Sequence, residues 1–549
     1  MENSIHSNTL RQCPRRIHVL FLLILVAAAL LAYSNNFTAG FVYDDYPFIL
    51  ENPAVRTLSN PVRFFTSREA FSEKGQYVIY RPLATLSFAL NYRLSGYNPA
   101  LFHTVNILLH VAASATLYAL LFLTFGEAVF AFFVALLFLL HPAQTEAVSW
   151  IAGRGNPMFL TVFFLAMICY EKWKRESSRA YYGLALLFAA LSLLSKEMAV
   201  VLPVLLVVVE LTLPRPDARP DRTKHLVAVI PFVALSIGYV VLRHLALGET
   251  RQMGYWGGGL WPTLLTMTKG FVYYVRLLFV PMPLMVEYVI PIARSPLQPT
   301  VLVSLLVLAF LVLACVMSYR RAPVVCFGIA WFFASLLPVS NVVPMEAVIN
   351  ERFLYLPSIG FCAILAAPLL AAKAASRKRA AVGVIIALAL IGSCYGALTF
   401  NRNRDWRDSL SLWTASVKAS PAGPTSQYNL GLELFKRGRY DEAIEHLKIA
   451  CRLQESFPYA HAALGNAYFA KGSFEAAIEE YTIGVRQWPT DKNLRHNLAM
   501  AWLEKGKIHS SQGETGLAAQ CFLNALKFEP GLEPAMQALR QLSGVDERG

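Results

Sequence analysis

Residues 128–156 read AVFAFFVALLFLLHPAQTEAVSWIAGRGN, an uncharged apolar run that stops at His141-Pro142 and gives way to an acid, a tryptophan and a glycine-flanked arginine. Such a run reads as a membrane span closed by a polar motif at the membrane face. A hydrocarbon core about 30 Å thick takes roughly 20 apolar residues per helix, with about 17 as a working minimum. Working outward, candidate spans fall at approximately 17–34, 101–124, 128–145, 157–171, 181–195, 199–213, 226–246, 300–318, 323–340, 353–372 and 380–399, or about eleven in all. Composition agrees: 56% of the 549 residues are hydrophobic and 15% charged, against about 25% charged in soluble domains. The apolar excess lies before about residue 400, and the remainder looks soluble.

The net charge of +14, from 49 Lys+Arg against 35 Asp+Glu, would point to nucleic acid in a soluble chain. In a membrane chain it encodes orientation. Arg11, Arg15 and Arg16 precede the first span. Alternate loops then hold Lys172, Lys174, Arg175 and Arg179; Arg215, Arg219, Arg222 and Lys224; Arg320 and Arg321; and Lys373, Arg377, Lys378 and Arg379. Counting about eleven spans puts all of these on one side, with the N-terminus cytoplasmic and the C-terminus outside. The apolar stretch 262–285, which holds Lys269 and Arg276, would break that pattern as a further span and reads instead as interfacial or re-entrant. The first span reads as a retained anchor. Eight cysteines show no CxxC and no metal-like spacing, which disfavours a disulfide scaffold and a zinc protein.

From residue 424 the sequence repeats with a period of 34: Leu430-Gly431 recurs as Leu464-Gly465 and Leu498-Ala499, and Ala443 as Ala477. This is the tetratricopeptide (TPR) pattern, in which large and small residues interlock two helices and each hairpin stacks on the next. Repeats occupy 424–457, 458–491 and 492–533, the last with a seven-residue insertion; 404–423 resembles half of another. A short solenoid offers a concave surface to a peptide or protein, or else caps the membrane domain.

The candidate chemistry lies in the outer loops. The first, about 35–100, opens with Phe41-Val42-Tyr43-Asp44-Asp45-Tyr46-Pro47. In an extended segment neighbouring side chains point to opposite faces, so one of the two acids faces a substrate, as general base or as ligand to a divalent cation. The bland reading is a turn ahead of Pro47. Tyr80-Arg81-Pro82-Leu83 starts an amphipathic stretch to Leu94, an interfacial helix with Arg81 near lipid phosphates. His103, Asn106 and His110 share one face of the second span, a polar stripe turned to the bundle interior rather than a metal site. The short outer loops hold few cations: Arg154, Lys196 and Arg352, each with a carboxylate nearby in sequence, Glu146, Glu197 and Glu351 respectively. Ionisable groups at a membrane face usually mark function, although a salt bridge or snorkelling anchor is the plain alternative for any single pair. His141 and Glu146 beside Arg154 in glycine-rich backbone suit an anionic polar ligand. No GxxxxGK[ST], GxSxG or HExxH occurs.

The stretches YDDYPFILENPAV, YRPL, GYNPALFHTVNILLH, HPAQTEAVSWIAGR, LLSKE and ERFLYLPSIGF, followed by Asp405-Trp406 and the repeats, resemble the transmembrane-and-TPR O-mannosyltransferases of the endoplasmic reticulum and their bacterial relatives. The short array and its interrupted third repeat depart from that family and make acceptor choice the least transferable property. The resemblance implies an all-α fold: a polytopic, GT-C-like membrane bundle over 1–400 and an extracytoplasmic TPR solenoid over 401–549. It also implies an inverting transferase that moves a sugar, expected to be mannose, from a polyprenyl-phosphate donor to an acceptor, expected to be a protein hydroxyl. Asp44 would be the general base and Asp45 its support, either being a candidate ligand for a divalent cation. Arg81, Arg154, Lys196 and Arg352 would meet the phosphate; His141, Glu146, Glu197 and Glu351 would shape the pocket. The expected partners are the lipid-linked donor, a protein or peptide held by the TPR domain, and the membrane, with no nucleic acid. A bacterial inner membrane is favoured over the endoplasmic reticulum. The rivals are a transporter, for which no internal symmetry is found, and a non-catalytic scaffold whose TPR domain recruits envelope or export proteins.

Overall fold

The computed structural model describes residues 14–72, 79–213, 222–248, 254–345 and 347–542; Arg11, Arg215 and Arg219 of the charge pattern lie outside the described residues. No strand occurs among the described residues. The chain divides into two compact units, Met1–Ser411 and Leu412–Gly549.

The first unit is built from α1 (Arg15–Ala32), α2 (Pro82–Ser95), α3 (Pro99–Phe125), α4 (Ala128–Leu140), α5 (Gly155–Glu176), α6 (Arg179–Ser195), α7 (Leu202–Thr212), α8 (Ile230–Leu247), α9 (Leu260–Phe279), α10 (Pro299–Arg321), α11 (Pro323–Ser335), α12 (Ser358–Ala374) and α13 (Lys378–Arg402). The opening stretch becomes its centre. Every residue of α4 except Val129 is buried, as expected of a helix that is apolar all round, and it packs against α1, α3, α12 and α13. Local chemistry sets its ends. Gly126 adopts a left-handed φ of 71° after α3, a conformation a side chain resists, and ends that helix. Beyond His141 the chain bends by 58° into Pro142–Val148. Where α11 crosses α12, Gly328 and Gly360 let the backbones touch: a Cβ on Gly328 would sit 2.5 Å from the Gly360 oxygen.

Among the described residues six helices are long and apolar enough to cross a membrane, or seven if the bent pair counts as one span. The expected count of about eleven is therefore not reached by length alone. The other segments correspond to shorter apolar helices at Arg179–Ser195, Pro323–Val339 and Ser358–Ala374, and to α7. The stretch 262–285 contains α9, which is not among the six. Outer helices keep their apolar surface: along α10 only Val301 and Ser304 are buried, while Leu306, Phe310 and Val316 are 70%, 67% and 67% exposed. Such surface requires lipid. The protein is a multi-pass membrane protein.

In the second unit, α14 (Pro424–Lys436) pairs with α15 (Tyr440–Leu453), α16 (Pro458–Ala470) with α17 (Phe474–Gln487), and α18 (Lys492–Ser511) with α19 (Thr515–Phe528), before α20 (Glu533–Leu542). Small residues meet large ones as the period requires: a Cβ on Gly431 would lie 2.6 Å from Leu447, and one on Gly465 2.5 Å from Tyr481. The insertion is taken up inside α18, which has 20 residues where α16 has 13. Seven residues are close to two helical turns, so the packing face returns. Gly506 then takes the small-residue position, 2.5 Å by the same measure from Phe522.

Candidate active site

The Asp44–Asp45 segment is a turn, the bland reading of the sequence, and not an extended segment. Asp45 N–H donates to Val42 O at 3.0 Å, Phe48 N–H donates to Asp44 O at 3.2 Å, and Tyr43 sits at φ 53°. That φ is unfavourable for an aromatic residue and marks a backbone held by its surroundings. The two acids still diverge. Asp45 is fully buried, its Oδ2 accepting from Val42 N–H at 2.9 Å and its Oδ1 from Ala152 N–H at 2.7 Å. Burial pushes its carboxyl up to about 8 against the pull of those two bonds. Asp45 therefore staples the outer loop to the turn after Trp150, each carboxylate oxygen holding one backbone N–H. Asp44 is half-buried and lies within electrostatic reach of Arg352.

None of the three ion pairs expected from sequence neighbours is the one that forms. Glu146 takes Arg352: it accepts from the backbone N–H at 2.7 Å and from the guanidinium. The guanidinium lies 5.5 Å from the Trp150 ring centroid and 5.3 Å from that of Phe353. Glu197 takes Arg81 in a two-pronged pair of 2.9 and 2.6 Å. Arg81 stands at the start of α2, ahead of Pro82. Lys196 is buried and donates to Asn156 Oδ1. Gly155 permits this approach, since a Cβ there would be 3.3 Å from Ser195 O and 3.6 Å from Arg81 Cδ.

These groups form one electrostatic cluster, with Lys196 influenced by Arg81, Glu197, Arg352 and Glu146 together. Burial and the neighbouring Arg81 hold the Lys196 ammonium well below its ordinary range. Burial alone would raise Glu197, but Arg81 and Lys196 outweigh it and hold that carboxyl far below the usual range. Arg81 and Arg352 reach the surface, with side chains 20% and 24% exposed. Loops that the charge pattern assigns to one side thus meet at one place.

Three expected site residues are absorbed by structure. Arg154 is fully buried, donating to Asn106 Oδ1 at 2.7 Å, Asn91 Oδ1 at 2.5 Å and Phe102 O at 3.0 Å, with the Phe88 ring centroid 4.6 Å away. It rivets α2 to α3 and meets no substrate surface. His141 is buried, its Nδ1 accepting from Ala143 N–H at 3.2 Å and its Nε2 donating to Leu278 O at 3.1 Å. It caps the bend. Glu351 is buried away from Arg352; its Oε1 accepts from Met285 N–H at 2.6 Å and Tyr288 O–H at 2.8 Å and faces Arg402 at 3.4 Å, while Oε2 has no partner. Burial raises its carboxyl to about 7, with Arg402 opposing. The polar stripe of His103, Asn106 and His110 is buried, as read.

Sequence reasoning missed Trp150 as the ring beneath Arg352, Asn156 as the partner of Lys196, and Tyr274, whose hydroxyl accepts from Asn350 N–H at 3.2 Å near Glu146 and Arg352. Asn156 was legible as the polar residue closing the glycine-flanked turn; Tyr274, inside an apolar helix, gave no signal.

Residues 431–472 match the family described as TPR repeat, and 462–533 the one described as tetratricopeptide repeat. The human protein O-mannosyl-transferase TMTC1 is 26% identical, over 81% of this chain and 56% of its own length. Protein O-mannosyl-transferase F38B6.6 of Caenorhabditis elegans is 26% identical over 79% and 63%, and human protein O-mannosyl-transferase TMTC3 25% identical over 80% and 52%. The chain thus spans a little over half the length of these relatives. A helical membrane unit, tetratricopeptide repeats after it in the sequence and similarity along about four fifths of the chain make this protein similar to proteins named protein O-mannosyl-transferases.

Proposed function

We propose that this protein is an integral-membrane, inverting glycosyltransferase that moves mannose from a polyprenyl-phosphate donor to a protein hydroxyl on the extracytoplasmic face, periplasmic in a bacterial inner membrane. The observation that carries the reading is the gathering of Asp44, Arg81, Lys196 and Arg352 at one mouth of the bundle. The acceptor oxygen attacks the anomeric carbon and gives its proton to Asp44. The bond from that carbon to the donor's phosphate oxygen breaks, and the electron pair leaves with the phosphate. Fixed cations aimed at the developing charge supply the electrostatic part of the catalysis. Arg352, oriented by Glu146, and Arg81, oriented by Glu197, bind phosphate oxygens at the rim. Lys196 is paired with an amide rather than a carboxylate, and an arriving phosphate would favour the ammonium form that burial and Arg81 disfavour. No step is routed through a metal ion. The TPR unit presents the acceptor polypeptide.

The test is transfer by the purified protein in nanodiscs, supplied with radiolabelled polyprenyl-phosphate mannose and hydroxyl-bearing polypeptides. Label should appear on the polypeptide. Absence of transfer from any lipid-linked sugar would contradict the proposal and favour the scaffold, in which the TPR unit only recruits.

A further inference from the structure

We propose that Cys451, His461 and Glu480 form a binding site for a divalent transition-metal ion of the zinc class, braced across three successive helices of the TPR unit. Cys451 lies on α15, His461 on α16 and Glu480 on α17. One ligand atom from each lies within 4.8 Å of the other two, and among the described residues this is the cluster of three or more such groups that meets that spacing. Bond lengths of about 2.0–2.3 Å in a tetrahedral site place neighbouring ligand atoms roughly 3.3–3.8 Å apart. The 2.7 Å His461–Glu480 pair must therefore open by under about 1 Å and Cys451 close on it by a similar amount. Sulfur, imidazole nitrogen and carboxylate oxygen together suit zinc or cobalt and do not suit the all-oxygen preference of magnesium or calcium.

The repeat provides an internal control. His461 Nδ1 and Glu480 Oε2 are 2.7 Å apart, and the positions 34 residues earlier, Gln427 and His446, make the same contact at 2.7 Å. A polar bridge between paired helices is thus a general device of this solenoid and needs no metal. What the device does not require is a thiol beside it. Only around the middle repeat does the preceding helix add one; with the insertion counted, Trp502 and Cys521 stand at the positions of His461 and Glu480, and an indole offers a cation no ligand atom. His461 is buried, whereas Cys451 and Glu480 are partly exposed, which gives the ion a path in and leaves a fourth position for water. Binding would displace the hydrogen bond between His461 and Glu480 and tie the first repeat to the second.

The experiment titrates cobalt(II) alone into the full chain in nanodiscs and reads the thiolate-to-cobalt charge-transfer band. One equivalent should bind with that band, and zinc(II) should abolish it. Cys451→Ser, a near-isosteric change, should remove the band while the far-ultraviolet helical signal is kept. His461→Gln and Glu480→Gln should weaken binding by about tenfold or more, and Cys521→Ser should leave it intact. No band, a band that survives Cys451→Ser, or equal loss on Cys521→Ser would overturn the proposal.

Discussion

Asp44 and Asp45 are adjacent in sequence yet have opposite surroundings, half-buried near a cation and fully buried against two amides. Asp45→Ala leaves the Val42 and Ala152 N–H groups unpaired in the interior and should cost about 1–3 kcal/mol, read as a lower unfolding temperature in detergent. Glu351 makes the pH prediction. Its folded carboxyl is raised from 4.5 to about 7, mainly by burial, and its bare Oε2 is where the proton sits. A raised carboxyl contributes stability that is full below the unfolded value and is lost as pH rises through the folded one. The wild type should therefore lose stability between about pH 4.5 and 7. Glu351→Gln, neutral throughout, should show a smaller loss, what remains coming from Asp45, whose carboxyl burial raises to about 8. Equal pH dependence in both proteins, measured by thermal unfolding across that window, would contradict this.

Helices were legible because their signals are local. Apolar runs and the 34-residue period are both read along a continuous stretch of chain. The glycine contact of α11 and α12 gives the sharpest test at this scale. Gly328→Ala places a methyl group against a backbone oxygen that cannot move aside and should cost about 1–3 kcal/mol. Gly383→Ala on α13, where a Cβ would meet nothing within 4 Å, should be neutral or slightly stabilising. Comparable losses from both would refute the close-contact account. Charge pairing was not legible, for a reason of geometry. Glu146 and Arg352, or Arg81 and Glu197, are separated by 206 and 116 residues and meet only because their loops emerge at one end of the bundle. Arg154 misled for the same reason: an arginine in a loop reads as a ligand group until α2 and α3 are seen to close over it.

The whole molecule sets an apolar exterior on one unit against a solenoid of interlocking small and large residues in the other. Proteins similar to it along about four fifths of the chain are named protein O-mannosyl-transferases. Within the membrane unit, rim cations held by one buried and one partly exposed carboxylate stand near a half-buried acid, an arrangement suited to a lipid phosphate and a hydroxyl acceptor. The most direct measurement is transfer of radiolabelled mannose from polyprenyl phosphate by wild type and Asp44→Asn in nanodiscs, beside donor binding by the same two proteins. Loss of a general base costs roughly 100- to 10,000-fold, so Asp44→Asn should lose transfer to that degree while remaining folded and binding donor through Arg81, Lys196 and Arg352. Full transfer by Asp44→Asn would contradict the assignment of Asp44 and the active site built around it.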